Sequence, residues 1–267
     1  MAFKSSPILP ALPPSLALKI SSREWRRDKL GRSAADIFRL VADGRPDLFL
    51  KIQAAGPFEE FRDEAARAEW LATQGLPCPK VLALEIHDGR QWLLTSAVPG
   101  RDLASSTELD PLQRVTILAE GLRLLHALEI DACPFDQRFA RRLLLAAARV
   151  RANMVDEADF DEKRRSESAA SLLGRLEQQQ PAEIDLVVVH GDASFPNIMA
   201  EGGKFGGFVD LGRLGVGDRY QDIALAAWSV RYNLGEEWIL PFFDAYGILI
   251  ADHDKLAYYK ALDEFFE

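Results

Sequence analysis

Cysteine is scarce in this sequence, which has Cys78 and Cys133 in 267 residues. Two distant cysteines provide neither the closely spaced, even set of a disulfide framework nor the paired spacing of a zinc site. We interpret both as buried or partly buried thiols, which suits a reducing compartment. The sequence therefore argues against a disulfide-rich scaffold and a zinc module, and we expect a cytoplasmic protein.

Long apolar runs are also missing, and no stretch reaches the roughly 20 residues that a transmembrane helix needs. The opening segment, "MAFKSSPILPALPPSLALKI", is interrupted by four prolines and lacks the basic start and clear cleavage site of a signal peptide. We therefore interpret it as part of the mature chain and expect no membrane partner.

An excess of basic residues is absent as well. The chain has 32 Lys and Arg against 41 Asp and Glu, a formal net charge of −9. Such a charge repels nucleic acids and anionic membranes and attracts cations. We expect no nucleic-acid partner, and the charge favours a small cationic ligand, although solubility alone would explain it equally well.

The spacing of apolar and turn-forming residues changes near residue 97. Before that point "DIFRLVADGRPDLFLKI" and "ALEIHDGRQWLLTSAV" are each typical of a β-hairpin, with the helical segment "FEEFRDEAARAEWLATQ" between them. From Asp110 onward, apolar residues recur at three- and four-residue spacing, which predicts helices. We predict an α+β fold with a small antiparallel-sheet lobe, residues 1–97, and a larger, mainly helical lobe, residues 98–267.

The stretch "VVVHGDASFPNIM" places a charged group directly after an apolar strand. A carboxylate there is costly unless it is paired, hydrogen-bonded or bound to a metal. We expect the strands at Leu186–Val189 and Phe205–Val209 to pair as a hairpin that gathers Asp192, Asn197 and Asp210 at one end. Such oxygen ligands suit Mg²⁺, and a remaining acid could accept a proton.

A lysine and a glutamate in the N-terminal part of the sequence are further candidate site residues. Lys51 lies in the apolar strand "LFLKI", and Glu64 shares a helix face with Phe61, Ala68 and Leu71. Both side chains should face inward, where an ion pair would form. Upstream, "KLGRSAADIF" could form a short phosphate-covering loop, although it lacks a full G-x-G-x-x-G and, taken alone, is better explained by an ordinary turn.

These residues resemble the catalytic and metal loops of protein kinases, H-R-D-x-x-x-x-N followed by D-F-G. Here the motifs are His-Gly-Asp192 with Asn197, and Asp210-Leu-Gly. Glycine replaces the arginine that usually binds an activation-loop phosphate. We therefore do not expect a protein substrate or regulation by phosphorylation.

Longer motifs narrow the resemblance. "HGDASFPNIM", "GGFVDLGRLGVGDRYQDIALA" and the terminal "LDEFF" resemble the aminoglycoside 3′-phosphotransferase family, and "LPCPKVL", "SAVPGRDL" and "CPFD" follow the same order. The resemblance runs from about residue 25 to the end. It implies a bilobal kinase-like fold, ATP with Mg²⁺, transfer of the γ-phosphoryl group to the 3′-hydroxyl of kanamycin- or neomycin-class drugs, and antibiotic resistance.

The resemblance also implies roles for individual residues. Lys51 would hold the α- and β-phosphates and Glu64 would orient it. Asp192 would be the catalytic base or orient the substrate hydroxyl, and Asn197 and Asp210 would bind Mg²⁺. The remaining residues expected to contact the nucleotide are Ser33 over the phosphates, Phe49 stacked on adenine, and the backbone of Ser96 and Val98 at the adenine edge.

Acidic segments would bind the ammonium groups of the aminoglycoside, with Arg213 orienting the carboxylates. The expected acids are Asp159, Asp161 and Glu162 of "DEADFDE" and Asp263 and Glu264 of the tail. The "DEADFDE" run also suits a plain solvated face. Two departures bear on the substrate pocket. Relatives usually end at the second Phe of "DEFF" and can contact substrate with the terminal carboxylate, whereas this sequence continues to Glu267. Several relatives carry acids where Tyr232 and Asn233 stand, so the drug spectrum should differ.

Other functions stay open at this point. One alternative is a kinase of another small cationic or sugar substrate, similar to choline or fructosamine kinases. A nucleotide-binding pseudokinase and a Mg²⁺ phosphohydrolase are further candidates, but the complete set of catalytic residues argues against the first of these. We expect a monomer or a weak homodimer.

Overall fold

The computed structural model describes residues 11–27, 35–56, 60–182 and 185–266. Internal contacts divide the chain into two compact units. The first comprises the residues up to Ala65 together with Lys80–Ala97, and the second comprises Ala66–Pro79 and the residues from Val98 onward. The assignment of functional lobes to residues 1–97 and 98–267 stays a prediction, because compactness alone assigns no function.

The described part of the first unit contains an antiparallel sheet in the order β1-β2-β3-β5-β4. Its strands are β1 (Glu24–Arg27), β2 (Asp36–Ala42), β3 (Arg45–Ala54), β4 (Val81–His87) and β5 (Arg90–Ser96). Both predicted hairpins are present. At the β4–β5 turn, Asp88 and Gly89 have φ of 49° and 65°, the left-handed pair that a two-residue hairpin turn requires.

Residues alternate between the two faces of this sheet. One face packs its buried side chains, Leu50 and Ile52 among them, against Leu16 and Ile20 of helix α1 (Pro14–Ile20). On the other face, Leu93 packs against Phe61 and Ala65 of helix α2 (Glu60–Thr73). This period-two alternation therefore decides which side chains of β3 face α2.

Two small sheets lie in the second unit. Strands β6 (Arg101–Asp102), β8 (Ile198–Glu201) and β9 (Lys204–Phe208) form one, and β7 (Leu186–Val189) pairs with β10 (Gly215–Asp218) in the other.

The predicted hairpin between Leu186–Val189 and Phe205–Val209 is therefore wrong. The second of these strands pairs instead with β8, its neighbour along the chain. Gly202 and Gly203 have φ of 57° and 75°, so they close a tight hairpin that leaves β7 to pair with β10. The sequence interpretation overlooked β8, a run of only four residues.

Helices make up most of the rest of the second unit, as predicted. They are α3 (Pro111–His126), α4 (Phe139–Arg151), α5 (Ala169–Gln178), α6 (Tyr220–Leu234), α7 (Ile239–Tyr246) and α8 (His253–Asp263). Asp110 begins α3 with a capping box to Gln113, which satisfies N–H groups that have no partner within the helix. Among the helices of the described ranges, none is both long enough and apolar enough to cross a bilayer.

A hydrophobic core holds the C-terminal helix to the rest of the second unit. Its buried members include Leu143 of α4, Leu172 of α5, and Leu262 and Phe265 at the chain end. The C-terminal segment is thus packed between helices, and its polar residues are fixed where the core places them.

Neighbouring leucines on α4 test this core. Leu143 is 6 % exposed and Leu144 is 66 % exposed. Leu143→Ala should lower the free energy of unfolding by about 2–4 kcal/mol, because it removes buried apolar atoms and leaves a cavity. Leu144→Ala is the matched control and should change it by less than about 0.5 kcal/mol. Urea denaturation measures both, and equal losses would contradict the proposed packing.

Candidate active site

Lys51 and Glu64 form the predicted ion pair. Lys51 lies between Leu50 and Ile52 on β3, so it points to the face that packs against α2, where Leu93 is its neighbour across the strands. Its Nζ lies 2.7 Å and 2.8 Å from the two carboxylate oxygens of Glu64. The side chains are 14 % and 10 % exposed. The helix phase of Glu64 therefore indicated its inward direction correctly.

The predicted adenine contacts are constrained by existing hydrogen bonds. Phe49 lies two residues before Lys51 on β3, on the same face. The N–H of Ser96 donates to the Lys80 carbonyl over 2.9 Å, so a ligand would take the Ser96 carbonyl. The N–H of Val98 has no hydrogen-bond partner among the described residues. Ser33 lies outside the described residues.

A buried carboxylate fixes the segment between β7 and Asp192. Asp222 of α6 accepts hydrogen bonds from the N–H groups of His190 over 2.7 Å and of Gly191 over 2.8 Å. His126 Nε2 lies 3.0 Å from the same carboxylate. Asp222 thus sets the direction in which the chain enters Asp192.

Glycine at position 191 has a steric reason. Its φ is 83°, and a Cβ atom there would lie 2.1 Å from the carbonyl oxygen of Arg213. The left-handed backbone and this close approach both exclude a larger residue. The departure from the kinase H-R-D pattern is therefore built into the backbone of this site.

His190 connects the Asp192 loop with the Asp210 loop. Its Nδ1 accepts from the N–H of Asp192 over 3.3 Å, and its Nε2 lies 3.0 Å from the carbonyl oxygen of Val209. The neutral tautomer with its hydrogen on Nε2 satisfies both contacts. The N–H of Val209 also donates to the carbonyl of Asn197 over 3.0 Å. The predicted convergence on Asp210 is therefore achieved by these bonds rather than by the predicted hairpin.

Asn197 and Asp210 supply oxygen atoms that suit a magnesium ion. The Asn197 amide nitrogen donates to the Asp192 carbonyl over 2.9 Å, which aligns the amide and leaves its Oδ1 without a hydrogen bond from any described residue. Asp210 is exposed and has φ of 59°, a strained conformation that often marks functional sites.

The described ranges contain no cluster of three or more His, Cys, Asp or Glu side chains that could hold a metal. Mg²⁺ requires fewer protein ligands, because it retains waters and binds substrate phosphates. The donor set therefore fits this ion when it is bound together with a nucleotide.

Arg213 bridges Asp192 and the C-terminal tail. One guanidinium nitrogen donates to Asp192 Oδ2 over 2.9 Å, and another donates to Asp263 Oδ1 over 2.5 Å. Burial lowers the pKa of Arg213, but the charges of Asp192, Asp263 and Asp210 outweigh burial and hold it above its ordinary value. Arg213 thus stays a cation beside Asp192.

The predicted substrate acids do not form one open patch. Glu264 is buried and accepts from Arg164 and from the N–H of Asp161. Asp263 is also buried and faces Arg213. Asp159 is exposed, and the Glu162 side chain is 85 % exposed. The structure brings Asp161 and Glu264 together, and binding of ammonium groups by these acids stays a prediction.

Asp161 is held in its ionised form. Burial alone would raise its pKa, but the N–H of Lys163 and the nearby charges of Arg164, Lys260 and Arg231 bring the pKa below its ordinary value. Its negative charge is therefore available at neutral pH.

The sequence interpretation named Arg213 but missed two other basic partners of the tail acids Asp263 and Glu264. Arg142 of α4 lies 3.6 Å from Asp263, and Arg164 contacts Glu264. Arg142 had a detectable signal, because it lies on the apolar face of α4, three residues after Phe139 and four before Ala146. Arg164 lies in an irregular acidic segment, where no helical periodicity indicates which side chains face inward.

Comparison with known proteins agrees with the fold. A model of the "Phosphotransferase enzyme family" matches residues 24–259. The chain belongs to this family. It is 36 % identical to an aminoglycoside 3′-phosphotransferase from Streptomyces fradiae, over 94 % of this chain and 98 % of that protein. It is 36 % identical to one from Niallia circulans, over 95 % and 97 %.

Solved structures extend the likeness. The crystal structure of a type VIII aminoglycoside-3′-phosphotransferase has a TM-score of 0.86 and 35 % identity, covering 94 % of this chain and 97 % of that one. A Streptomyces rimosus aminoglycoside phosphotransferase solved with ADP and streptomycin has a TM-score of 0.78 and 29 % identity, covering 94 % and 95 %. The predicted family, enzyme class and kinase-like α+β fold are confirmed.

The role of Asp222 can be tested by stability. Asp222→Asn retains the shape but replaces one acceptor oxygen by a donor that faces N–H groups, and we expect a loss of about 2–4 kcal/mol in the free energy of unfolding. Asp185→Asn is the control, because Asp185 forms a partly exposed ion pair with Arg219 and should lose less than Asp222→Asn, about 1 kcal/mol. Similar losses in urea denaturation would contradict this role.

Proposed function

We propose that this protein transfers the γ-phosphoryl group of ATP to the 3′-hydroxyl of kanamycin- or neomycin-class aminoglycosides and thereby confers resistance to them. The observation that carries the proposal is the hydrogen-bonded loop network of Asp192, Asn197 and the residue before Asp210. This network occurs in a chain whose relatives are aminoglycoside 3′-phosphotransferases along nearly their whole length.

The nucleotide would be held mainly by Lys51. Its ammonium would bind the α- and β-phosphates, and Glu64, which contacts it through both oxygens, would fix its direction. Phe49 would stack on adenine, and the Ser96 carbonyl and Val98 N–H would bind the adenine edge. The ADP complex of the S. rimosus relative supports a nucleotide substrate.

Asn197 and Asp210 would hold Mg²⁺. When bound, the ion neutralises negative charge on the β- and γ-phosphate oxygens. The hydrogen bond from the Asn197 amide to the Asp192 carbonyl supports this assignment, because it fixes the direction of the amide oxygen that would bind the ion.

Asp192 would act on the 3′-hydroxyl. Its carboxylate would orient the hydroxyl and accept its proton while the hydroxyl oxygen bonds to the γ-phosphorus and the bond to the ADP oxygen breaks. The transition state of phosphoryl transfer is loose, so positioning carries most of the catalysis. The Arg213 contact at 2.9 Å would maintain that position.

Negative charge would attract the polycationic drug. The exposed Asp159 and Glu162 would meet its ammonium groups first, and the net charge of −9 would speed the encounter. At Glu264 the ammonium groups would compete with Arg164 and Lys260, which already contact that carboxylate. Asp161 and Asp263, with Arg213 orienting them, complete the proposed pocket.

We place the protein in the cytoplasm, where ATP is available, as a monomer or a weak homodimer. The alternative of a kinase for another small cationic or sugar substrate is not favoured, because the similar proteins of known name are aminoglycoside 3′-phosphotransferases.

The proposed regiochemistry can be tested with two drugs. In a coupled ADP-release assay with Mg-ATP, kanamycin should support turnover, whereas tobramycin, which lacks the 3′-hydroxyl, should not. Turnover with both drugs would show that another hydroxyl is phosphorylated. Absence of turnover with both, while ATP still binds, would favour the alternative kinase.

Replacing Asp192 tests its catalytic role. Asp192→Asn keeps an oxygen for Arg213 but removes the proton acceptor, so kcat for kanamycin should fall by about 10²–10⁴-fold. ATP affinity, measured by calorimetry, should stay unchanged. Asp131→Asn, an exposed acid in the same unit, is the control and should retain wild-type turnover. Near wild-type turnover of Asp192→Asn would exclude the assigned role.

A further inference from the structure

Arg213 divides its hydrogen bonds between two carboxylates. Its guanidinium contacts Asp192 Oδ2 at 2.9 Å and Asp263 Oδ1 at 2.5 Å. A guanidinium can alternatively place two parallel N–H groups on a single carboxylate, which is the stronger geometry. Some additional interaction is needed to explain why Arg213 spans both acids.

Arg142 supplies that interaction. It is 2 % exposed, and its terminal nitrogen lies 3.6 Å from the same Asp263 oxygen that Arg213 contacts. Asp263 is therefore shared by two guanidinium groups. Their mutual repulsion disfavours full transfer of Arg213 to Asp263 and keeps its other nitrogen on Asp192.

The burial of Arg142 is energetically unfavourable by itself. Its Nε is buried and has no hydrogen-bond partner among the described residues. Burial, followed by the charge of Arg213, lowers its pKa to about 10, so it remains a cation at neutral pH. Its guanidinium carbon lies 4.0 Å from the centre of the Phe266 ring, which offsets part of the cost. A buried ion pair often adds no net stability over an apolar core, so stability alone is a weak explanation for this cation.

We propose that Arg142 is a positioning residue for Asp192, which acts by sharing the Asp263 carboxylate with Arg213. In this role Arg142 acts through Asp263 and Arg213. Through Arg142, the C-terminal tail controls the geometry of the Asp192 carboxylate, which orients the substrate hydroxyl and accepts its proton. The inference rests on the catalytic role proposed for Asp192.

Steady-state kinetics of kanamycin phosphorylation provide one test. Arg142→Met retains an unbranched side chain that can pack on Phe266 but removes the charge. We expect kcat to fall between about tenfold and 100-fold, because Asp192 loses its fixed orientation, with KM for ATP unchanged. Arg142→Lys keeps the charge and should recover most of kcat. Arg142→Gln replaces the Met variant if that variant does not fold.

Arg149 offers a matched control on the same helix. Its guanidinium carbon lies 5.9 Å from the centre of the Phe266 ring. Arg149→Met should therefore alter packing of the tail without the loss of kcat. Equal losses of kcat in the Arg142 and Arg149 variants, in step with their melting temperatures, would reduce Arg142 to a structural role and overturn the proposal.

Crystal structures of the wild type and Arg142→Met separate this inference from the proposed function. The variant should show both Arg213 nitrogens on Asp263 and Asp192 released. An Arg213–Asp192 bond retained in the variant would overturn the inference, whatever the substrate is. A wild-type enzyme inactive on kanamycin would instead contradict the proposed function while leaving this structural comparison decisive.

Discussion

The loop that leads into Asp192 keeps its shape because the buried carboxylate of Asp222 accepts hydrogen bonds from two consecutive backbone N–H groups, those of His190 and Gly191. Buried N–H groups must find acceptors, and an irregular segment lacks the regular partners that a helix or a sheet provides. Helix α6 supplies the acceptor from outside the loop. The bonds of His190 to Asp192 and Val209 then extend this order to Asp210, so the candidate catalytic groups depend on one fixed point.

A second constraint is the balance of buried charge around the tail. Asp263 and Glu264 are buried, and each is matched by arginine. Leaving any such charge without a partner would be strongly destabilising. The tail is therefore held by core packing and by ion pairs together, which places the Asp263 carboxylate next to Arg213 and, through it, Asp192.

Much of the molecule followed from local patterns. The hairpins of the first unit were predictable because turn residues and alternating apolar positions agree. The Lys51–Glu64 pair followed from strand alternation and helix phase, both of which act within a few residues. The pairing of β7 with β10 was not predictable in this way, because the partners are separated by a hairpin whose short strand β8 gave a weak signal.

The sequence by itself determined the family, the α+β class and the residue types available for chemistry, because motif spacing and periodicity are local properties. Only the tertiary structure decided which charges neutralise one another. The placement of Arg142 and Arg213 around Asp263 depends on the packing of α4 and α8, elements more than a hundred residues apart. Electrostatic energies vary steeply with distance and burial, and neither quantity can be taken from the order of residues alone.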